Sequence, residues 1–89
     1  MYMNNKTIAQ AFKVLGGKER IQIIQYLSTG EKCVCGILKH LKLPQNLVSY
    51  HLGALRKNNL IMTRKEGKWV HYSLNKKSFS GLQEFLEKL

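Results

Sequence analysis

Two helical segments joined by a two-residue turn and followed at once by a basic hairpin constrain this chain more than any other feature. A short helix near Cys33 carries Ile37, Leu38 and Leu41 on its apolar side. Lys42-Leu43 leaves room only for a tight turn before Pro44. Proline suits the first turn of a helix, where its missing N–H has no intrahelical partner to lose. The next helix is predicted over residues 44–57 and ends around Asn58-Asn59, because Asn tolerates the left-handed conformation of a helix cap. Two strands then flank Glu66-Gly67-Lys68 within residues 61–72. Two helices joined by so short a turn describe a helix-turn-helix, and the hairpin makes it winged.

The flanking segments complete the pattern. Ile8, Ala9, Ala11, Phe12 and Leu15 recur at helical spacing and are closed by Gly16-Gly17. A second helix is predicted over residues 18–28, with Ile21, Ile24, Tyr26 and Leu27 apolar and Thr29-Gly30 ending it. Ser78 is expected to cap a last helix carrying Phe79, Leu82, Phe85, Leu86 and Leu89. The expected fold is mainly α with a small β-hairpin, in the order α-α-α-α-β-β-α, as one domain over residues 1–89. Repeats, low-complexity tracts and interdomain linkers are absent from the sequence. A chain of 89 residues buries only a modest core, and small domains often gain stability by oligomerising. The stripes Ile8, Phe12, Leu15 and Phe79, Leu82, Phe85, Leu86 exceed what one small core can use. They predict a homodimer about a two-fold axis, which would set two reading helices about 34 Å apart.

Charge narrows the partner. The net charge of +10 favours nucleic acid or an anionic surface over a small acidic substrate. The membrane alternative fails on pattern, because no apolar run approaches the roughly 20 residues of a spanning helix. Nor are the cations confined to one helix face. Residues 1–6 do not lead into a signal-peptide core, so the chain is read as cytoplasmic with its cysteines reduced. No nucleophile–base–acid set is visible among five acids, which argues against an enzyme. Between Lys32 and Lys77 stand ten Lys or Arg residues and a single acid, Glu66. That imbalance coincides with the helix and hairpin, and points to double-stranded DNA. The alternatives are a DNA-binding regulator with no metal response and a winged-helix protein-interaction module, which would show a mixed-charge outer face with exposed apolar anchors.

A helical wheel separates the two sides of the second helix. Leu47, Val48, His51, Leu52, Ala54 and Leu55 fall on the side that must face the core. Gln45, Asn46, Ser49, Tyr50, Gly53, Arg56 and Lys57 fall on the other. Gln and Asn can pair bidentately with adenine, Ser with several base edges, and Lys or Arg with phosphate. Gly53 in mid-helix costs about 1 kcal/mol relative to Ala, which close approach of a DNA backbone or another helix would justify. In the hairpin, Val70, Tyr72 and Leu74 are expected to face the core, with Trp69, His71 and Ser73 pointing the other way. Arg64, Lys65 and Lys68 surround the tip, within reach of phosphates. A basic tip also discourages strand aggregation, and Trp69 can cover an apolar edge as readily as it meets a sugar.

Taken in order, four stretches resemble the ArsR/SmtB family of winged-helix repressors. They are Phe12-Lys13-Val14-Leu15-Gly16, Glu31-Lys32-Cys33-Val34-Cys35-Gly36, Val48-Ser49-Tyr50-His51-Leu52, and Glu66-Gly67-Lys68-Trp69-Val70-His71-Tyr72-Ser73-Leu74. The resemblance implies a homodimer built from the first and last helices, bound to a palindromic operator and released by an effector. It also implies that Gln45, Asn46, Ser49 and Tyr50 occupy base-reading positions. The chain departs from the family pattern at Pro44, Asn46 and Leu47, so the operator is not read from the resemblance.

Cys33-Val34-Cys35 is similar to the family's sensing motif for arsenite, antimonite, lead or cadmium. Soft thiolates select such ions, and a helix N-terminus beside Lys32 favours the thiolate. Residues two apart point to nearly opposite sides of a regular helix, so both sulfurs reach one ion only if the first turn is irregular. The arsenic sensors of this type place a third thiol where this chain has Leu38. The lead and cadmium type draws cysteines from an N-terminal arm that here has none. A zinc class uses His and carboxylates on the last helix, where this chain has Glu84 and Glu87 but no His. Soft-ion sensing, thiol oxidation and a structural role as small, partly buried residues stay open for the pair. No cofactor is otherwise required. His51 reads as a hydrogen-bonded inward residue, while His40 and His71 lack partners at metal-binding spacing.

Overall fold

The computed structural model describes residues 3–89. Helix α1 (Asn5–Val14) opens on Asn4, whose side-chain oxygen accepts from the Thr7 N–H at 2.8 Å. That bond satisfies one of the donors a helix start leaves free. Helix α2 (Lys18–Leu27) follows Gly17, and a two-residue strand β1 (Lys32–Cys33) leads into α3 (Val34–Leu41). Lys42 turns the chain in the left-handed region, at φ 56°, with its N–H donating to Leu38 O at 3.0 Å. Pro44 takes an extended ψ of 144° at the cap position, and α4 runs Gln45–Lys57. At the far end Asn59 adopts φ 60°, the conformation for which Asn pays least among side chains other than Gly. Strands β2 (Ile61–Glu66) and β3 (Trp69–Leu74) meet at a turn where Gly67 has φ 61°, and α5 (Lys76–Glu87) closes the chain.

The order therefore differs from the expected one by a single strand. β1 pairs antiparallel with β3, Lys32 opposite Tyr72 and Cys33 opposite His71, giving a three-stranded sheet of order β1-β3-β2. Two residues carry no periodicity, so this strand exists only because β3 supplies its hydrogen bonds. β3 becomes the central strand, and the expected alternation of facing and averted residues is blurred. Residues Val70 to Leu74 are all half-buried, although Tyr72 and Leu74 do pack on the core as expected.

The core gathers where α2, α3 and α4 cross. Ile23, Ile37, Val48, Leu55 and Leu60 are fully buried. Each such side chain contributes about 1.5–3 kcal/mol through removal of apolar surface from water. Two expectations about helix faces need correction. The apolar side of α2 turns on Ile23, while Ile21 is 41% exposed; on α4, Val48, Leu52 and Leu55 are buried but Leu47 is 43% exposed. In both cases the residue lies at the rim of the stripe, where a wheel cannot separate core from boundary. Ser78 is a third correction. Asn75 holds the cap position of α5, and Ser78 sits inside the helix, buried, with its hydroxyl donating to Asn59 O at 2.6 Å. A tertiary bond to the end of α4 uses the group that a local reading assigns to capping. No helix among the described residues is long and apolar enough to cross a membrane.

Candidate nucleic-acid interface

The outer face of α4 is open to solvent along its length. Gln45, Asn46, Ser49, Tyr50, Gly53, Arg56 and Lys57 are all exposed, Tyr50 to 65%. A Cβ built on Gly53 would meet nothing within 4 Å. Packing within the chain therefore does not require glycine there, which removes an intramolecular helix contact from its explanation. The basic end agrees with helix electrostatics, because Arg56 and Lys57 lie in the last turn, where the macrodipole is negative.

Helix α4 is braced from α2 by a residue that the helical stripes do not single out. Arg20 Nε donates to His51 Nδ1 at 3.1 Å, and Arg20 Nη1 donates to Val14 O at 3.1 Å. His51 is thus a half-buried, hydrogen-bonded residue, as its inward position suggests.

On the wing, Lys65 and Lys68 are exposed, and Lys68 Nζ lies 5.7 Å from the centroid of the Trp69 ring. Trp69 is itself 51% exposed, so it covers little of an apolar edge. Arg64 differs from its neighbours. Its Nε and Nη2 donate to the two carboxylate oxygens of Glu31 at 3.1 and 2.7 Å, and its Nη1 lies 3.8 Å from Glu66 Oε2. The guanidinium lowers the Glu31 carboxyl below its ordinary range, chiefly through the hydrogen bond. Of the three cations expected around the hairpin tip, Arg64 is thus the one engaged within the chain. Glu31 lies 33 residues away in sequence, so no local pattern announces the contact.

The two thiols come together because Cys33 is not helical. It occupies the N-cap of α3 with extended backbone, φ −70° and ψ 149°. Its Sγ accepts from the Cys35 N–H at 3.4 Å, and the Cys35 thiol donates to the same Sγ at 2.8 Å. The opposite-sides geometry of a regular helix therefore does not apply. These hydrogen bonds from the Cys35 thiol and the first-turn amides lower the Cys33 pKa. Donation of that hydrogen bond to Cys33, with lesser burial and charge effects, raises the Cys35 pKa. The pair can offer two soft donors to one ion. Among the described residues no group of three or more His, Cys, Asp or Glu is placed to hold a metal. His40 stacks on Tyr26 at 4.1 Å, and His71 Nε2 lies 3.3 Å from Glu66 Oε1 without the alignment of a hydrogen bond.

Of the seven residues expected at a subunit interface, Ile8 and Leu82 are buried within the chain, at 8% and 5% exposure. Their side chains already serve the protomer core. Phe12 and Leu86 remain exposed, and with Leu15, Phe79 and Leu82 they line an apolar groove between α1 and α5. Phe85 packs against the core with its ring 6.0 Å from that of Phe12.

Known proteins share this arrangement. The sequence profile described as "Bacterial regulatory protein, arsR family" matches residues 17–63. The arsenical resistance operon repressor of Escherichia coli (strain K12) is 45% identical over 67 residues, which are 74% of this chain and 57% of that repressor. The chain thus spans little more than half of that relative. The solved structure of HlyU from Vibrio cholerae is 31% identical, with a TM-score of 0.83 over 99% of this chain and 96% of HlyU. A homodimeric winged helix-turn-helix DNA-binding domain from Mycobacterium bovis is 26% identical, with a TM-score of 0.79 over 92% of this chain and 76% of that one. The chain has the winged helix-turn-helix fold and belongs to the arsR family of bacterial regulatory proteins.

Proposed function

We propose that the chain is a dimeric repressor that holds a palindromic operator in double-stranded DNA and leaves it when Cys33 and Cys35 meet a soft ion or an oxidant. The observation that carries this reading is the outer face of α4, polar and open from Gln45 to Lys57 and set beside exposed wing lysines that have no carboxylate partner among the described residues. Gln45, Asn46, Ser49 and Tyr50 read base edges, while Arg56, Lys57, Lys65 and Lys68 hold phosphates. Each phosphate neutralised releases counterions, so affinity falls steeply with salt. The groove around Phe12 and Leu86 supports pairing of two copies, and the M. bovis relative is described as homodimeric. A two-fold pair presents two α4 helices to successive turns of one duplex face.

Release requires an effector that binds the DNA-free conformation better than the bound one. The position of the thiols supports this. Cys33 is at once the cap of α3, the helix that supports α4, and the partner of His71 in the sheet. Drawing both sulfurs onto arsenite, antimonite, cadmium or lead withdraws the Cys33 cap and strains the two-residue ladder. The third donor comes from water, a small thiol or the second subunit, so affinity is below that of a three-thiol site.

The test is a titration of the reduced protein–DNA complex with arsenite, cadmium, lead and an oxidant in parallel. Release of wild type by at least one of them, with Cys33→Ser and Cys35→Ser staying bound, is the expected result. Equal response of wild type and both variants, or no response at all, would remove the sensing role and leave the DNA-binding role to stand alone.

A further inference from the structure

Arg20 belongs to α2, outside the reading helix and the wing, yet its guanidinium meets three separate groups. One is Val14 O, in the last turn of α1, where helix carbonyls lack intrahelical partners and a cation suits the dipole. The second is His51 Nδ1, which this bond assigns as an acceptor, leaving the imidazole proton on Nε2. The third is Tyr50: Arg20 Cζ lies 5.6 Å from the centroid of its ring, within cation–π reach. The Tyr50 ring also meets the His51 ring edge-on at 5.5 Å. Arg20 has no carboxylate partner among the ion pairs of the described residues.

An exposed tyrosine on a helix face ordinarily samples several rotamers, and ordering it on binding weakens the complex. Here a guanidinium and an imidazole hold the ring before any partner arrives. The planar fork of arginine makes this possible, because lysine offers a point charge without fixed directions. The same side chain ties α4 to the end of α1, so the reading helix is referenced to a helix that lines the apolar groove.

We propose that Arg20 is a positioning residue for sequence reading, which presets Tyr50 and sharpens discrimination at the base pair Tyr50 faces without touching DNA itself. The inference rests on α4 being the base-reading helix. Two of its five donors are committed within the protein, and the salt slope, which a phosphate contact would share, separates positioning from contact with DNA.

The experiment selects randomised duplex DNA with wild type, Tyr50→Ala, Arg20→Met, Arg20→Lys and the double variant Arg20→Met/Tyr50→Ala. Preference at each base pair, salt slope and thermal midpoint are measured for each. Tyr50→Ala should flatten preference at one base pair per half-site. Both Arg20 variants should flatten the same base pair, by about tenfold for Met and less for Lys, with other positions and the salt slope as in wild type. The double variant should be no worse there than Tyr50→Ala, because both changes remove one interaction. If Arg20→Met does not fold, Arg20→Lys decides the matter by the same criterion. Unchanged preference in the folded Arg20 variants overturns the proposal, as does a uniform loss at all positions or a shallower salt slope. If Tyr50→Ala leaves every preference unchanged, the base-reading role of Tyr50 has failed and the inference falls with it.

Discussion

Glu31→Gln should make this protein bind DNA more tightly at low salt and lose that advantage faster as salt rises. Arg64 is held by two carboxylates, Glu31 through a bidentate pair at 2.7 and 3.1 Å and Glu66 at 3.8 Å. Two of the five acids of the chain therefore flank one wing cation, while Lys65 and Lys68 have no carboxylate partner among the described residues. The pairing raises the Arg64 pKa and lowers that of Glu31, so both groups stay charged near neutrality. Gln keeps the shape of the side chain, removes one negative charge beside the wing and turns one of the two acceptors into a donor, which frees one guanidinium N–H and loosens the other. One additional phosphate contact steepens the dependence of log Kobs on log salt by about 0.9. Between about 50 and 200 mM salt this amounts to roughly 3.5-fold more affinity lost than in wild type. Fluorescence anisotropy over a salt series measures it, with Arg64→Ala made in both backgrounds. Arg64→Ala should leave the wild-type slope alone and return the Glu31→Gln slope to the wild-type value. A Glu31→Gln slope equal to or shallower than wild type would refute the reasoning. So would Arg64→Ala alone flattening the slope by about one, since Arg64 would then already reach the phosphates. The pair is exposed, so the melting point should barely move.

Three further outcomes are expected. Phe12→Asp or Leu86→Asp should sediment as a folded monomer with operator affinity down about 100-fold or more, whereas a variant that stays dimeric places the interface elsewhere. Both residues are exposed in the single chain, which makes them better probes than the buried Leu82. With iodoacetamide near neutral pH, mass spectrometry should find Cys33 alkylated before Cys35, because the Cys33 thiolate persists to lower pH; in Cys33→Ser, Cys35 should react faster than in wild type. Equal rates in wild type would contradict the hydrogen-bond asymmetry between the two sulfurs. Ser78→Ala should cost about 1 kcal/mol through the lost bond to Asn59 O. Thermal unfolding should then fall by roughly 4–8 °C, with the salt slope of DNA binding unchanged.

The residues that were legible in sequence are those whose signal is local. Gly67 and the alternation around it mark the hairpin, Asn58-Asn59 ends α4, and the separation of Val48, Leu52 and Leu55 from Asn46, Ser49 and Arg56 follows from helical geometry. What escaped was decided by distant partners. Strand β1 is two residues long and owes its existence to β3, where Lys32 meets Tyr72 and Cys33 meets His71. Ser78 looks like a cap until Asn59 comes within 2.6 Å of it. Arg64 looks free until the sheet brings Glu31 alongside, and Arg20 looks like one more solvated cation of α2. The thiol pair turns on a related point: helical spacing describes Cys35 but not a Cys33 that still belongs to the strand, and this supplies the irregular first turn that the pair requires. Periodicity reports on which side of an element is wet; it carries nothing about which polar groups will meet across elements.

Strand β1 also bears on the tempo of the thiol response proposed above. A ladder of two residues at the edge of a sheet opens at far smaller free-energy cost than the crossing of α2, α3 and α4. In the proposed sensing role, the movement asked of Cys33 is an opening of its own short segment and not an unfolding of the core. Response rate and thermodynamic robustness are then separate quantities in this chain. Substitutions at Ile37 or Leu55 can move its melting temperature while the tempo of the thiol site stays the same.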